Sequence, residues 1–243
     1  MTSSQADRKR RRALVTGGAV RVGRVIALAL AEAGMDVVIG YHRSAAAARD
    51  TVRELRARGA RALAVRADLR RPRAAPALVA RAAAALGGLD VLVNSAAVFY
   101  RTPLATTTPA QYDHLLDVNL RGAFFCAQAA AARMAGGGHI VNVGDVVARR
   151  ARPGWLAYVL SKAGVEALTR GLAVELRPQR IAVNCVAPGA VLKPARLSPA
   201  RWRALTRDHA GRPEDVAAAV VFFATCPPYV TGQVLRVDGG ETA

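Results

Sequence analysis

Residues 13–23 read ALVTGGAVRVG, a short run of strand-forming residues that leads directly into a glycine-rich turn and an alanine-rich segment. A strand, a glycine turn and a helix in this order are typical of the place where a parallel sheet holds a dinucleotide. Glycines let the main chain approach a pyrophosphate, and N–H groups at the helix N-terminus can donate to its oxygens. The same pattern also fits a tight turn without a ligand, so features elsewhere must decide.

The alternation of strand-like and helix-like segments continues along the chain. Seven short β-branched runs are separated mostly by about 15 to 25 residues, the length of a right-handed parallel crossover that contains a helix. We therefore predict a single-domain α/β fold, a doubly wound (Rossmann) seven-stranded parallel sheet with helices on both faces. The predicted strands are 13–16, 36–41, 61–65, 91–94, 139–143, 181–186 and 234–237.

Composition narrows the class of protein. Hydrophobic residues make up 52% and charged residues 21% of the 243 positions, which excludes a disordered chain. No apolar run approaches the roughly 20 residues of a membrane span, and the polar start resembles no secretion signal. Three widely spaced cysteines, Cys126, Cys185 and Cys226, are expected to be reduced core thiols. We expect a cytoplasmic protein with no membrane contact and no metal site.

The formal net charge is +18, and only three of the 35 basic residues are lysines. The arginines are scattered along predicted helices, which favours a solvated basic surface over a specific nucleic-acid site. Such a surface attracts polyanions weakly at low salt. We expect a flexible basic tail over residues 1–11, followed by a dinucleotide-binding domain over residues 12–243.

The end of the second predicted strand indicates which dinucleotide binds. NAD-dependent folds place an Asp or Glu there to hold the ribose 2′-hydroxyl, whereas a cation accommodates a 2′-phosphate. This chain has His42, Arg43 and Ser44 at that point, without a carboxylate. Arg43 offers a planar donor fork, and Ser44 with the following helix N-terminus offers further hydrogen bonds. The sequence therefore predicts NADPH, with a polar loop that binds nothing as the alternative.

Two later helices carry polar residues at defined positions. Residues 108–111 (TPAQ) have the pattern of a capping box, and the helix that they begin contains Asn119. Another helix, over about residues 157–176, places Tyr158 and Lys162 one turn apart on one face. An ammonium group at that distance favours the phenolate, so that the phenol can give up a proton near neutral pH.

The motifs that stand with the glycine turn are NSAA at 94–97, Asn119, YVLSK at 158–162 and the pair Pro188-Gly189. Together they resemble the short-chain dehydrogenase/reductase superfamily across nearly the whole chain. The resemblance implies that Tyr158 donates a proton, that Lys162 lowers its pKa and holds the ribose, and that Asn119 completes a proton relay through water. It also implies a homotetramer, or a homodimer, in which the helices that bear Asn119 and Tyr158 pack against their copies.

The superfamily's cofactor contacts can be carried over onto matching positions of this chain. The candidate cofactor-binding residues are Gly17, Arg21, Val22, His42, Arg43, Ser44, Asp68, Leu69, Asn94, Ala96, Tyr158, Lys162, Pro188 and Gly189. The chain departs from the usual pattern at Ser95, which replaces an asparagine, and at Ala97 and Val98, which replace hydroxyl residues. Some ligand hydrogen bonds must therefore come from the main chain.

The most informative departure lies at Asp145, 13 residues before Tyr158, where the superfamily usually has a serine that hydrogen-bonds a ketone. An ionised carboxylate accepts hydrogen bonds but cannot donate one, and it repels a developing alkoxide. This residue therefore disfavours simple ketone reduction and favours a substrate with N–H donors.

Three motifs resemble one branch of the superfamily, the pteridine reductases. They are the turn Thr-Gly-x-x-x-Arg-x-Gly, the strand end YHRSAA at 41–46, and FYRTPL at 99–104. The resemblance implies that Arg21 lies beside the pyrophosphate and the substrate, that Phe99 stacks on the pterin, and that Asp145 and Tyr158 complete the pocket. The expected function is the NADPH-dependent reduction of a dihydropterin or dihydrofolate to its tetrahydro form, by hydride transfer to a ring C=N with Tyr158 as the proton donor.

Two alternatives remain open. One is a reductase of another carbonyl, such as a 3-oxoacyl thioester or a quinone, in which Asp145 is merely tolerated. The other is a non-catalytic NADPH-binding sensor, against which the intact Tyr158, Lys162 and Asn119 argue. The substrate side is expected to be covered by the loop over residues 192–211, with a small helix that contains Trp202.

Overall fold

Seven parallel strands form one sheet in the computed structural model, which describes residues 10–193, 197–206 and 209–243. Numbered along the chain, the strands lie side by side in the order third, second, first, fourth, fifth, sixth and seventh, so the chain winds outward in both directions from the first strand. This confirms the predicted doubly wound fold. The strands are β1 (Arg12–Thr16), β2 (Asp36–Tyr41), β3 (Ala62–Arg66), β4 (Val91–Asn94), β5 (Gly138–Val143), β6 (Ile181–Pro188) and β7 (Val234–Val237).

Successive strand residues point to opposite sides of the sheet, so apolar side chains lie on both faces and helices cover them there. Leu14 and Ile140 pack against the helices on one face of the sheet, whereas Val15 and Val141 pack against the helices on the other face. Burying one such side chain contributes roughly 1.5–3 kcal/mol. The helices are α1 (Arg21–Glu32), α2 (Ala45–Ala57), α3 (Ala74–Leu86), α4 (Pro109–Leu116), α5 (Gly122–Ala131), α6 (Leu156–Glu175), α7 (Pro199–Thr206) and α8 (Pro213–Thr225).

The capping box predicted at the start of α4 is present. The Thr108 side chain accepts a hydrogen bond from the Gln111 main chain at 3.3 Å, and the Gln111 side chain accepts one from the Thr108 main chain at 2.9 Å. A π-helical turn, Asp117–Arg121, joins α4 to α5, and Asn119 lies within it. A π-helical turn is rare and often marks a functional position.

The N-terminal boundary differs in part from the expectation. Arg10 pairs with Asp36 at 3.1 Å, and the Arg11 guanidinium donates to the main-chain oxygen of Ala224 at 2.5 Å. These two residues of the predicted tail therefore contact the domain, because a carboxylate and a helix carbonyl offer them partners. The rest of the predicted tail, residues 1–9, lies outside the described residues.

The predicted reduced state of the three cysteines is confirmed, since Cys126, Cys185 and Cys226 are free and buried. The small helix predicted around Trp202 is α7. Residues 194–196 and 207–208 of the predicted substrate loop lie outside the described residues. In the part of the chain that the structure describes, no helix is both long enough and apolar enough to cross a membrane.

Candidate active site

The glycine turn after β1 leaves no room for side chains. Gly17 has a φ of +67°, and a Cβ placed on it would lie 2.8 Å from the Cα of Ala96. A Cβ on Gly23 would lie 2.3 Å from the carbonyl oxygen of Gly17. Only glycine fits both positions, because a methyl group there would collide with main-chain atoms. The turn is therefore a main-chain cradle at the carboxyl edge of the sheet.

Thr16 fixes this turn to the segment that follows β4. Its hydroxyl oxygen accepts hydrogen bonds from the main-chain N–H groups of Ser95 and Ala96, both at 3.0 Å. The two cofactor candidates Gly17 and Ala96 are thereby brought together. This is the point where the sheet winds outward in both directions, at which open α/β sheets bind dinucleotides.

Arg21 has a φ of +55° at the first position of α1, and its side chain is exposed. A left-handed conformation is uncommon for a residue with a side chain, and such strain clusters at functional sites. The adjacent Val22 is half-buried. The structure thus places both predicted residues at the N-terminus of α1, beside the cradle.

The end of β2 carries the predicted 2′-phosphate contacts. Arg43 is exposed, and Ser44 is the N-cap residue of α2 with no capping hydrogen bond from its side chain. The Nε2 atom of His42 lies 3.6 Å from a carboxylate oxygen of Asp68. Because β2 pairs with β1, this segment lies next to the cradle, and Arg43 and Ser44 are available to an anion.

Sequence analysis missed Arg70, whose signal was its spacing of two residues from Asp68. The Arg70 guanidinium donates to both carboxylate oxygens of Asp68, at 2.9 and 2.6 Å. These hydrogen bonds hold the pKa of Asp68 well below its usual range. Burial acts in the opposite direction, and the nearby His42 lowers the pKa further. Leu69 packs against Gly122 of α5. Asp68 is therefore an ionised acceptor beside the end of β2.

The Asn94 side chain lies in the core at the end of β4. It is buried, and its amide donates to the side chain of Asn142 at 2.9 Å and to the main-chain oxygen of Ala123 at 3.3 Å. Asn142 in turn donates to the Thr169 hydroxyl at 3.0 Å. The amide group therefore ties β4 to β5 and α6 within the core, and the cofactor contact of Asn94 stays a prediction.

Pro188 and Gly189 lie at the carboxyl end of β6, on the same edge as the cradle. The Gly189 N–H donates to the main-chain oxygen of Val237 at 2.9 Å. A Cβ on Gly189 would lie 2.8 Å from the Cβ of Asp238, so the close approach of the two segments requires glycine here.

The centre of the site is a hydrogen bond between Tyr158 and Asp145. The Tyr158 hydroxyl donates to one carboxylate oxygen of Asp145 at 2.7 Å, and the other oxygen accepts from the Val147 N–H at 2.9 Å. Burial, and then the negative charge of Asp145, raise the pKa of Tyr158 well above its usual range. Asp145 therefore faces Tyr158, the predicted proton donor, and the phenol is held in its protonated form.

Lys162 lies one helical turn after Tyr158, as expected, but its ammonium group is bound to a main-chain oxygen at the end of β5. Its Nζ donates to the main-chain oxygen of Val143 at 2.8 Å and lies 6.0 Å from the centre of the Tyr158 ring. Burial lowers the pKa of Lys162, and Asp145 opposes this shift. The expectation that Lys162 lowers the pKa of Tyr158 is not met in this structure, because burial and Asp145 both favour the neutral phenol.

Asn119 is held by three hydrogen bonds. Its oxygen accepts from the Val98 N–H at 2.8 Å, and its amide donates to the Val98 oxygen at 3.1 Å and to the Ser161 hydroxyl at 3.0 Å. Ser161 donates to the main-chain oxygen of Tyr158 at 2.7 Å. The side chain therefore connects the segment after β4 to the second turn of α6, and the water relay through Asn119 stays a prediction.

An aromatic pair stands beside the catalytic tyrosine. Phe99 is 57% exposed and stacks on Trp155, with ring centres 4.3 Å apart and an interplanar angle of 19°. It meets Tyr158 edge-on at 4.8 Å. Sequence analysis missed Trp155, because its only signal was an aromatic residue three positions before Tyr158. Phe99 and Trp155 together give the site a flat apolar wall.

Comparison with known proteins agrees with this geometry. A family model described as enoyl-(acyl carrier protein) reductase matches residues 18–242. A short-chain type dehydrogenase/reductase of Picea abies is 38% identical over 94% of this chain and 91% of its own length. A 3-oxoacyl-(acyl-carrier-protein) reductase of Staphylococcus aureus is 36% identical over 94% of this chain and 96% of its own length.

Two solved structures share the fold closely. A short-chain dehydrogenase from Burkholderia cenocepacia in complex with NADP is 39% identical, with a TM-score of 0.91 over 98% of this chain and 100% of its own. A blue fluorescent protein from a metagenomic library in complex with NADPH is 38% identical, with a TM-score of 0.90 over 96% and 98%. With the cradle, Asn119, Tyr158 and Lys162 in place, these matches show that the chain belongs to the short-chain dehydrogenase/reductase superfamily of oxidoreductases.

Proposed function

We propose that the protein is an NADPH-dependent reductase. The residues present fit the cofactor: the cradle at Gly17 would admit a pyrophosphate, and the end of β2 offers Arg43 and Ser44 without a carboxylate. The two structures described above, which hold NADP and NADPH, support the same choice. When bound, the nicotinamide supplies a hydride.

Tyr158 supplies the proton in this proposal. Its hydroxyl is neutral and points at Asp145, so a substrate atom that replaces or joins this contact meets a protonated donor. Lys162, whose Nζ donates to the Val143 oxygen, would bind the ribose. Asn119 fixes the segment after β4 against α6 and keeps the donor in position.

For the substrate we propose a dihydropterin or dihydrofolate, reduced at a ring C=N. The observation that carries this choice is the 2.7 Å hydrogen bond from Tyr158 to Asp145. A ketone oxygen needs donors as its negative charge develops, and an ionised Asp145 offers none. A pterin instead presents N–H groups that can donate to the carboxylate, and the wall of Phe99 and Trp155 suits its planar ring.

A second candidate is a reductase of 3-oxoacyl thioesters. The names of the relatives favour this reading over the pterin, since a 3-oxoacyl-(acyl-carrier-protein) reductase matches along almost its entire length. In that case Asp145 would be tolerated beside the ketone and would have to be protonated in order to donate.

A substrate panel separates the two candidates. Purified protein would be supplied with NADPH or NADH and offered dihydrobiopterin, dihydrofolate or an acetoacetyl thioester. We expect turnover of a pterin with NADPH and little with NADH. Brisk reduction of the thioester without turnover of any pterin would replace the main proposal by the second. Equal use of NADH would contradict the assignment of Arg43, and tight NADPH binding without turnover of any substrate would favour the sensor.

We also propose a homotetramer, or a homodimer, built on the helices that carry Asn119 and Tyr158. Phe124 on α5 and Leu160 on α6 are 42% and 46% exposed, which leaves apolar surface on both helices. Light scattering after size-exclusion chromatography should give a multiple of the 25.5 kDa chain mass. A monomer at micromolar concentration would contradict this assembly.

A further inference from the structure

A second concave site lies at the opposite edge of the sheet, where the strands begin. A cavity of about 430 Å³ opens beside the first residues of β1 and β5, with Arg11, Arg12, His139 and Arg180 in its wall. Tyr158 lies at the other edge, where β5 ends. Because a strand rises about 3.3 Å per residue, the six residues of β5 separate the two sites by about 20 Å.

The charges in this cavity do not balance. Its one lining carboxylate, Asp90, is occupied by Arg12, which donates from Nε at 2.8 Å and from Nη2 at 2.7 Å. Arg11 and Arg180 have no carboxylate within salt-bridge distance among the described residues. Arg11 is half-buried, and burial lowers its pKa. The Ala224 oxygen gives its guanidinium one neutral acceptor, and the charge of Asp90 acts on Arg11 only from beyond salt-bridge distance. The cavity therefore holds a partly desolvated cation with no carboxylate paired to it directly.

His139 adds an unpartnered polar atom to the same wall. Its side chain is buried, with the residue only 6% exposed, and its Nδ1 has no hydrogen-bond partner in the described part of the chain. Burial, and then the positive charge of Arg11, lower the pKa of His139 to about 4, so the ring is neutral at neutral pH. A buried polar atom without a partner costs free energy unless a ligand or water satisfies it.

A glycine turn brings Arg180 to this wall. Gly137 has a φ of +89°, and a Cβ on it would lie 2.7 Å from the main-chain oxygen of Arg180. The Gly138 N–H donates to the same oxygen at 3.3 Å. The Arg180 side chain is exposed, and Arg180 itself has a φ of +57°. The contacts with Gly137 and Gly138 thus fix the main chain of Arg180, while its guanidinium group is available to a ligand.

We propose that this cavity binds a phosphate-type dianion, either inorganic phosphate or the phosphate of a monoester, through Arg11 and Arg180. Two unmatched guanidinium groups provide the charge that a dianion needs, and their planar donor forks match phosphate oxygens. The site is separate from the dinucleotide cradle and from the catalytic residues.

Isothermal titration calorimetry tests the proposal. Protein saturated with NADP⁺, so that its dinucleotide site is filled, would be titrated with inorganic phosphate and with glycerol phosphate. We expect both wild-type titrations to show binding, and Arg180→Ala to raise the Kd about tenfold. Arg180 is exposed, so its truncation should leave the fold intact; Arg11→Lys tests the second fork. Arg177→Ala, an exposed arginine outside the cavity wall, is the matched control and should bind as wild type does.

The source of the phosphate follows from the two titrations. Tighter binding of glycerol phosphate indicates a monoester, and equal or weaker binding indicates free phosphate. The proposal is overturned if Arg180→Ala and Arg11→Lys bind as tightly as wild type, or if the protein ignores both anions. A short DNA duplex that binds while the small anions do not would show a polyanion surface instead. NADPH turnover by Arg180→Ala should match wild type, so a failed activity assay and a failed binding assay remain distinguishable.

Discussion

At the scale of single residues, the proposed chemistry rests on Asp145 and Tyr158. The carboxylate accepts a hydrogen bond from the Tyr158 hydroxyl at 2.7 Å and another from the Val147 N–H. A serine at this position could donate to a substrate oxygen, whereas the carboxylate can only accept while it is ionised. The same exchange of functional group alters the tyrosine, because a nearby negative charge disfavours the phenolate.

The first prediction concerns the ionisation of Tyr158. Asp145→Asn removes the negative charge that helps to raise the pKa of the phenol, so that pKa should fall towards the ordinary value. Tyrosinate absorbance, followed as the pH is raised in the protein and in the variant, measures the shift. Tyr158→Phe with Asp145→Asn is the control, because it lacks the group that titrates. An unchanged titration would show that burial alone sets the pKa.

Single residues also mark the limit of what the sequence could predict. Spacing on a helix places Tyr158 and Lys162 on one face, and the structure has them there. The partner of Asn94 could not be read from the sequence, because the side chain of Asn142 approaches only when β4 pairs with β5. The stack of Phe99 on Trp155 likewise depends on two loops that meet in space.

At the scale of elements, local capping chemistry accounts for the helix that carries Asn119. Thr108→Ala removes the N-cap oxygen that accepts from Gln111, so the free energy of unfolding should fall by about 1 kcal/mol. Urea unfolding monitored by circular dichroism measures it. Thr106→Ala, two positions earlier and without a side-chain hydrogen bond among the described residues, is the matched control. An equal loss in the free energy of unfolding in both variants would contradict a stabilising role of the capping box.

The π-helical turn between α4 and α5 was not predicted. Residue propensities describe an α-helix through residues 117–121, and nothing local signals the wider turn. Its physical basis is tertiary, because the Asn119 side chain must reach both Val98 and Ser161. The strand bounds, by contrast, were predicted to within two residues, since most of these strands are buried on both faces and form continuous apolar runs.

At the scale of the whole molecule, the buried carboxyl group of Asp36 pairs with arginines at the edge of the sheet where the strands begin. The Asp36 side chain is 2% exposed. Its Oδ2 lies 2.7 Å from Nε of Arg61, and its Oδ1 lies 3.1 Å from Nε of Arg10. Burial opposes ionisation of Asp36, but the hydrogen bonds of Arg61 outweigh it, and the pKa is lowered. A carboxyl group with a lowered pKa stabilises the fold above its unfolded pKa and loses that effect as the pH falls through its folded pKa.

Asp36→Asn should therefore lower the free energy of unfolding by about 2 kcal/mol near neutral pH. The difference from wild type should shrink as the pH falls below the ordinary carboxyl pKa and through the lowered pKa of Asp36, where the wild-type carboxyl group protonates. Urea midpoints at several pH values measure the effect, and Asp50→Asn, an exposed acid, is the control. A difference that stays constant with pH would assign it to packing rather than to charge.

The most direct test of the central claim is the substrate preference of Asp145→Ser. The measured quantity is the ratio of kcat/KM for dihydrobiopterin to kcat/KM for an acetoacetyl thioester, with NADPH in both assays. Removing the acceptor of pterin N–H groups and restoring a donor for a ketone oxygen should lower this ratio by about 100-fold or more. If pterin turnover is unaffected while the thioester gains nothing, Asp145 does not select the substrate and the proposed pterin site is contradicted.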